Sequence, residues 1–275
     1  MDYVELNIST ADAQQSEILV AELGELPFES FTEEGRTLKA YIPKERLVDC
    51  KAEVDALLES YGVHGARYIS IEPQNWNALW ESNFDPVTVT GECVIRAPFH
   101  APHPELPYDI VIMPKMSFGT GHHDTTCLVA TRILERDLSG KRGLDMGSGT
   151  GVLAIIAVRR GAERVDAVDI DEWAYENCRE NIAENGVADR VVPILGDVSA
   201  IAGRRYDFIL ANINRNILLA DMARYVASLD EGGELIMSGI LERDIPALSD
   251  CAASLGLHDI VSFTRNGWAS VVCRK

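Results

Sequence analysis

Apolar side chains in the first part of the chain follow strand periodicity and then helix periodicity. Val4, Leu6 and Ile8 occupy every second position, which predicts a strand with one buried face. Helical spacing follows, then a hairpin with Gly35 in its turn, a second helix and a final extended segment. The order β-α-β-β-α-β over residues 1–72 predicts a small ferredoxin-like α+β domain.

Regular periodicity weakens over residues 73–107, where prolines accumulate. We interpret this segment as a linker between two domains. Trp76 and Trp80 lie four positions apart in it, a spacing that places both on one side of a helix. Such a pair either packs against a neighbouring domain, which is the more common use, or forms a binding platform.

Strands and helices alternate regularly over residues 108–275. The strands are predicted to end at Met146, Asp169, Leu195, Asn212 and Ser238. This alternation predicts a doubly wound, mainly parallel α/β sheet. Because Asn266-Gly267 is a strong turn signal between two final extended segments, an antiparallel hairpin is expected to complete a seven-stranded sheet. That ending is usual among S-adenosylmethionine-dependent methyltransferases and uncommon among dehydrogenases.

A glycine-rich turn joins the first of these strands to the helix that follows it. Gly147, Gly149 and Gly151 alternate directly after Asp145-Met146. Alternating glycines let the backbone approach a nucleotide-like ligand closely, and their spacing differs from the dinucleotide fingerprint. The carboxylate of Asp145 would repel a pyrophosphate and attract a cationic ligand such as the methionine part of S-adenosylmethionine. We therefore predict that Asp145 and the three glycines form a methyl-donor site.

Two further acids end strands of the predicted sheet. Asp169 lies 22 positions after Gly147, where a carboxylate can accept hydrogen bonds from both ribose hydroxyls. Because NAD carries the same ribose, Asp169 alone does not separate the two cofactors. Asp171 is expected to cap the next helix. Asp197 either accepts from the adenine amino group or is an exposed loop acid.

Asn212 ends the fourth strand of the sheet. In doubly wound sheets the first and fourth strands end at the same crevice, so we expect Asn212 to lie near the donor methyl group. Its amide oxygen could hold an amine with the lone pair aimed at that methyl. A lysine amine, with a pKa of about 10.4 in water, must first lose a proton, which a partly desolvated pocket favours. The alternative is an asparagine that caps a turn.

The stretch from Ser117 to Thr126 is predicted to fold over a ligand and then enter a capped helix. It pairs two glycines and ends in Asp-Thr-Thr before an apolar helical run. His123 either orients a carboxylate of substrate or cofactor, or fixes the loop by hydrogen bonds. We predict no metal site, because adjacent histidines rarely share one ion and no further ligand cluster accompanies them.

Charge and composition narrow the partners. The net charge is −18, and residues 1–72 hold fifteen Asp and Glu against six Lys and Arg. Such a field repels nucleic acid and favours a basic protein partner, although an acidic balance also keeps an enzyme in solution. The apolar run Val152–Val158 is far shorter than the roughly 20 residues of a bilayer-spanning helix. With no basic signal region at the start and no C-x-x-C pair among six cysteines, we expect a cytoplasmic protein with reduced thiols and no membrane association.

Together these motifs resemble the bacterial methyltransferases that act on the eleventh protein of the large ribosomal subunit. The resemblance covers nearly the whole chain, and its most specific element is the Phe118-Gly119-Thr120-Gly121 loop. It implies a front domain that binds the ribosomal protein and a catalytic domain that methylates lysine side chains and the terminal amine. The implied catalytic residues are Asn212, Phe118 and His123. By similarity, Thr126, Gly147, Asp169 and Asn212 are donor-binding positions. The further cofactor contacts that we predict are Thr125, Gly119, Asp145, Gly149, Gly151, Ile170 and Asp197.

Two positions depart from the family pattern, and three other functions stay open. Glu81 follows the second linker tryptophan where many relatives have Lys, and Ser148 lies in the glycine turn where Cys or another small residue is common. Methyltransferases of a glutamine amide or a nucleobase usually follow the strand-four Asn with Pro-Pro-aromatic. Ile213-Asn214-Arg215 follows here, which favours a flexible aliphatic amine. The alternatives from other classes are a nicotinamide-dependent oxidoreductase and a non-catalytic cofactor-binding module.

Overall fold

The protein divides into two compact units, Met1–Phe84 and Asp85–Lys275. This computed structural model describes residues 2–71, 84–115 and 121–275. Trp76, Trp80 and Glu81 of the predicted linker therefore lie outside the described residues.

Over residues 2–71, the first unit forms an antiparallel sheet with two helices on one face. Its elements are β1 (Tyr3–Ser9), α1 (Ala13–Gly24), β2 (Ser30–Glu34), β3 (Thr37–Pro43), α2 (Lys44–Ser60) and β4 (Arg67–Ile71). The strand order is β2-β3-β1-β4. Leu6 and Ile8 are fully buried with Leu19 of α1 and Val54 of α2 in one core. Because side chains alternate along a strand, the opposite face of the sheet carries the partly exposed positions.

The second unit begins with a three-stranded sheet that the sequence did not predict. Its strands are β5 (Val87–Val89), β6 (Cys93–Arg96) and β7 (Tyr108–Val111), in the order β5-β6-β7. Residues 85–107 therefore belong to this unit, where the sequence predicted part of a linker. Strands of three and four residues are too short to show a period, and β6 is buried at every position, so it has no polar alternation. Four of the prolines that suggested a linker, Pro98, Pro102, Pro104 and Pro107, lie between β6 and β7, and Pro86 directly precedes β5.

The main sheet has seven strands in the order β10-β9-β8-β11-β12-β14-β13. The strands are β8 (Arg142–Met146), β9 (Arg164–Asp169), β10 (Val191–Leu195), β11 (Tyr206–Asn212), β12 (Leu229–Leu241), β13 (His258–Arg265) and β14 (Trp268–Arg274). The first five pair in parallel, and β14 pairs antiparallel with both β12 and β13. The predicted doubly wound α/β sheet with a terminal hairpin is therefore confirmed.

The helices of the second unit lie near the positions that the alternating pattern predicts, which are 152–160, 172–185, 215–229 and 241–255. They are α3 (Asp124–Leu134), α4 (Val152–Arg159), α5 (Glu172–Glu184), α6 (Arg215–Ser228) and α7 (Ile245–Ser254). The main difference is that β12 runs three residues past Ser238 to Leu241, and α7 begins only after a short 3₁₀ turn. A proline in the first turn of α7 fixes that start, because proline is tolerated only where no intrahelical N–H is needed. No helix in the described ranges is both long and apolar enough to span a membrane.

Candidate active site at the carboxyl edge of the sheet

The central strand β8 lies between β9 and β11, so the ends of these three strands form one edge of the site. Met146 of β8 pairs with Val168 of β9 on one side and with Ala211 of β11 on the other. Asp169 and Asn212 therefore follow on opposite sides of the turn that leaves β8. From β8 the chain continues to β9 and β10 on one side of the sheet, and then to β11 and β12 on the other side. The order of strands therefore reverses at β8, and such a switch point is where doubly wound sheets bind ligands.

The glycine turn is closely packed and needs its glycines. Gly147, Gly149 and Gly151 all have positive φ, at 73°, 53° and 79°. A Cβ at Gly147 would lie 2.2 Å from Ile213 Cγ2, and one at Gly151 would lie 2.6 Å from Cys178 Sγ. Side chains are thus excluded by both backbone conformation and space, which leaves the backbone of the turn at the strand edge.

Asp169 anchors this turn. Its Oδ2 accepts a hydrogen bond from the N–H of Gly149 at 2.8 Å, and its Oδ1 accepts one from the N–H of Asp171 at 3.0 Å. Each carboxylate oxygen keeps a further lone pair, so the group can still accept from a ligand hydroxyl. Asp171 caps α5 by accepting from Ala174 N–H at 3.0 Å, which confirms its predicted role.

Asp145 is placed differently from the sequence interpretation. Its side chain is 1% exposed, and Oδ2 accepts from Ala154 N–H at 3.1 Å in the first turn of α4. Oδ1 is buried and has no hydrogen-bond partner among the described residues. The pKa of Asp145 is raised to about 7, mainly by burial; the charge of Asp169 contributes to the rise, and the hydrogen bond from Ala154 N–H opposes it. The predicted repulsion of a pyrophosphate assumed a fully ionised carboxylate, and this environment weakens that argument.

Asn212 lies at the end of β11 with an unsatisfied acceptor. Its Oδ1 is buried and lacks a hydrogen-bond partner within the described part of the chain. The alternative interpretation, an asparagine that caps a turn, applies to its neighbour instead, since Asn214 caps α6 by accepting from Ile217 N–H at 3.2 Å. An unsatisfied buried acceptor beside a glycine turn is the kind of group that a ligand N–H can satisfy.

The start of α3 carries the next group of predicted site residues. Thr125 and Thr126 are buried in its first turn. The Nδ1 atom of His123 caps the helix by accepting from Thr125 N–H at 3.3 Å, and it lies 2.8 Å from Thr125 Oγ1. The imidazole ring also meets the Trp268 ring edge-on, with 4.5 Å between the ring centroids. Of the two predicted roles of His123, these contacts favour the one in which it fixes the loop.

The remaining predicted contacts lie near the same edge or outside the described ranges. Ile170 follows β9 and is 76% exposed. Asp197 accepts from the N–H and the hydroxyl of Ser199 at 2.8 and 2.6 Å, and these bonds lower its pKa. Phe118 and Gly119 fall on residues that the structure does not describe. Within residues 2–71, 84–115 and 121–275, no group of three or more His, Cys, Asp and Glu side chains has the geometry to hold a metal ion.

A row of buried asparagines on α5, next to the glycine turn, was not predicted from the sequence. Asn177 and Asn181 on α5, and Asn185 directly after it, are all buried. Asn181 Nδ2 donates to the carbonyl oxygen of Thr150, inside the glycine turn, at 3.0 Å. The four-residue spacing of these asparagines on the face that also carries Cys178 and Ile182 was the available signal.

Comparison with known proteins assigns the family. The family model described as ribosomal protein L11 methyltransferase (PrmA) matches residues 4–275. A protein of that name from Porphyromonas gingivalis is 46% identical over 273 residues, covering 97% of this chain and 92% of its own length. One from Bacteroides thetaiotaomicron is 43% identical over 279 residues, covering 98% of this chain and 99% of its own length.

Solved structures agree with this assignment. The crystal structure of a ribosomal protein L11 methylase from Lactobacillus delbrueckii subsp. bulgaricus superposes with a TM-score of 0.64 at 27% identity, covering 70% of this chain and all of that one. A methyltransferase from Pyrococcus furiosus shares the fold at 19% identity, with a TM-score of 0.50. The chain therefore belongs to the ribosomal protein L11 methyltransferase (PrmA) family of class I enzymes, which use S-adenosylmethionine.

Proposed function

We propose that this enzyme transfers methyl groups from S-adenosylmethionine to amino groups of ribosomal protein L11, namely lysine side chains and the N-terminal amine. Curated relatives that match over nearly their full length carry that substrate in their names. The structural observation that carries the proposal is the unsatisfied Asn212 Oδ1 beside the glycine turn. An amine is the acceptor that suits it, because an amine offers N–H donors to an amide oxygen and keeps a lone pair for reaction.

The residues at the strand edge fit the cofactor. A side chain has no room at Gly147 or at Gly151, so the backbone can approach a bulky ligand at these positions. Asp169 has spare lone pairs for ribose hydroxyls, and the exposed Ile170 offers an apolar surface for the adenine ring. The buried Oδ1 of Asp145 lacks a partner among the described residues and suits the cationic end of the ligand, either directly or through water.

S-adenosylmethionine supplies a methyl group made electrophilic by a positively charged sulfur. The task of the protein is to bring a neutral amine into line with that methyl group. Asn212 Oδ1 accepts a hydrogen bond from one amine N–H, which orients the nitrogen lone pair toward the methyl group. The new N–C bond then forms as the S–C bond breaks, and the amine nitrogen releases its extra proton to solvent. S-adenosylhomocysteine leaves as a neutral thioether.

The first unit is proposed to recognise the protein substrate. Its fifteen acidic and six basic residues over positions 1–72 suit a basic partner. On the open face of its sheet, Ile69 and Ile71 remain 48% and 38% exposed, and the register places them beside Glu5 and Tyr3. Apolar and acidic side chains in neighbouring rows provide both contact area and charge for a lysine-rich surface.

The decisive experiment identifies the acceptor. The full chain is incubated with methyl-labelled S-adenosylmethionine and, in separate reactions, with dissociated proteins and with RNA of the large ribosomal subunit. We expect label in one protein band, and methyllysine and methylated N-terminal amine by mass spectrometry. Label in the RNA, or on glutamine amides, would replace this proposal with one of the alternative acceptors.

A pair of variants tests the recognition surface separately. Ile69→Lys places a positive charge on the open sheet face and is expected to raise KM for the protein substrate about tenfold or more. Val48→Lys is the matched control, because Val48 is 78% exposed on α2, away from that face. If both variants change KM equally, the effect belongs to overall charge and not to the sheet face.

A further inference from the structure

The buried asparagines of α5 connect the glycine turn to a distant part of the chain. Asn177 and Asn181 are each 1% exposed, and Asn185 lies one helical turn further on. Asparagine is a poor helix former, and a buried amide must find partners. Their presence on the buried face of one helix therefore calls for a reason beyond the stability of α5 itself.

Asn181 uses both ends of its amide across that connection. Its Oδ1 accepts from the N–H of Met113, two residues after β7, at 2.9 Å. Its Nδ2 donates to the carbonyl oxygen of Thr150 at 3.0 Å and to Asn177 Oδ1 at 3.3 Å. One planar group thus fixes the segment after β7 and the glycine turn relative to each other.

Asn185 also uses both ends of its amide, but none of its three hydrogen bonds reaches the glycine turn. Its Oδ1 accepts from Val111 N–H at 3.0 Å, and its Nδ2 donates to the carbonyl oxygens of Val111 and Asn181 at 2.6 and 2.8 Å. Asn185 therefore holds the same segment against the same helix. The contact with Thr150 is what distinguishes Asn181.

The glycine turn is held by hydrogen bonds at two adjacent residues, Gly149 and Thr150. Asp169 accepts the N–H of Gly149, and Asn181 donates to the carbonyl oxygen of the next residue, Thr150. Cys178 also packs closely against this turn, since a Cβ at Gly151 would lie only 2.6 Å from Cys178 Sγ. Three glycines make the turn intrinsically free to adopt other conformations, so its shape depends on such external restraints.

We propose that Asn181 is a positioning residue of the methyltransferase, which fixes the glycine turn in the conformation that binds S-adenosylmethionine. Without its donor, the turn has to be ordered during binding, and the lost conformational freedom is subtracted from the affinity. The same amide brings residues 111–113 to the turn. The proposal rests on the use of the cofactor and is independent of which amine is methylated.

Asn181→Asp tests this role, with Asn185→Asp as the matched control. Each carboxylate has the shape of the amide, keeps the acceptor for its backbone N–H, and replaces a buried donor by a charge. Binding of S-adenosylhomocysteine to the full chain is measured by calorimetry at a temperature at which both variants are folded. We expect Kd to rise at least tenfold in N181D and to stay within about twofold in N185D, although both lower Tm.

Kinetics separate positioning from a general loss of structure. In N181D the KM for S-adenosylmethionine should rise as Kd does, while kcat at saturating cofactor and the KM for the protein substrate change by less than about threefold. Equal increases in Kd for both variants, or none in N181D, would overturn the proposal. If N181D does not fold, Asn181→Ser and Asn185→Ser provide the same comparison with neutral side chains.

Discussion

The polar side chains on the two sides of the glycine turn are satisfied to very different degrees. Asp169 receives backbone hydrogen bonds on both carboxylate oxygens, whereas Asn212 Oδ1 is buried with no partner in the described ranges. A buried acceptor without a partner costs roughly 1–3 kcal/mol, and such costs concentrate at functional sites. Under the proposed function, the Asp169 side, which we propose binds the ribose, already has its hydrogen bonds within the protein, whereas the Asn212 side leaves an acceptor for the substrate amine.

The largest effect on activity is expected from Asn212→Ala, which removes the acceptor without a partner. We expect kcat to fall roughly 10²–10³-fold, the loss typical of one positioned dipole at a reacting centre. Affinity for S-adenosylmethionine should stay within several-fold, because the other cofactor contacts remain. The free energy of unfolding should either rise or fall by less than about 1 kcal/mol, because the removed acceptor has no partner to lose and its desolvation cost is relieved. Single-turnover methylation, calorimetry and urea unfolding measure the three quantities.

Asn214 provides the control for that variant. Asn214→Ala removes the cap of α6 and should cost about 1 kcal/mol of stability with little change in kcat. A large loss of stability in Asn212→Ala, or comparable losses of kcat in both variants, would assign Asn212 to structure.

Asp169→Asn tests the satisfied side of the comparison. The new amide nitrogen would face either the Gly149 or the Asp171 N–H, so one donor loses its acceptor and the turn loses an anchor. We expect affinity for S-adenosylhomocysteine to fall roughly 10–10²-fold and the free energy of unfolding to fall by about 1–3 kcal/mol. Asp171→Asn should change neither, because Asn caps a helix as well as Asp does. Unchanged affinity in Asp169→Asn would leave Asp169 with a purely structural role.

Asp145 carries a second buried oxygen without a partner among the described residues, and its carboxyl group makes the stability of the protein depend on pH. Its pKa is about 7 in the folded protein and about 3.9 when unfolded, so the folded state holds the proton more tightly. Its contribution to stability is therefore present at low pH and is lost as pH rises from about 4 to 7. Compared with Asp145→Asn, the wild type should lose about 2 kcal/mol of unfolding free energy between pH 5 and pH 7. Parallel pH profiles of the two proteins in urea unfolding would show that the carboxyl group is ionised throughout.

How far the sequence predicted this site depends on how local each signal is. Gly147 directly follows a strand, and Asp169 and Asn212 end strands, all three with local sequence patterns. The switch-point rule then places these residues together, as the pairing of Met146 with Ala211 confirms. The sequence correctly predicts that Asp145 lies near the end of β8, but it does not show that the side chain is buried, because the burial depends on how α4 packs. That packing involves residues far apart in the sequence, which no local pattern reports.

The parts that sequence reasoning missed depend on distant partners. Asn181 contacts Met113, 68 positions away, and Thr150, 31 positions away, so the spacing of the asparagines along α5 can indicate a buried amide but not its partners. The short strands at residues 87–89 and 93–96 pair with each other, and the second also pairs with β7. These strands form through pairing, and their own sequences show no periodicity that would predict them. A three-residue strand carries too little pattern to be distinguished from a connector.

The smallest effect is expected from His123→Asn, which tests whether the loop beside Thr125 and Thr126 needs an imidazole. Asn caps helices well and can accept from Thr125 N–H, so the start of α3 should be preserved. The edge-on contact with Trp268 is lost, at a cost of about 0.5–1.5 kcal/mol, which the better cap partly offsets. We expect kcat and cofactor affinity within about threefold of wild type and a Tm shift of a few degrees. A kcat loss of about 10² or more with an unchanged Tm would instead make His123 catalytic, because capping alone would not produce it.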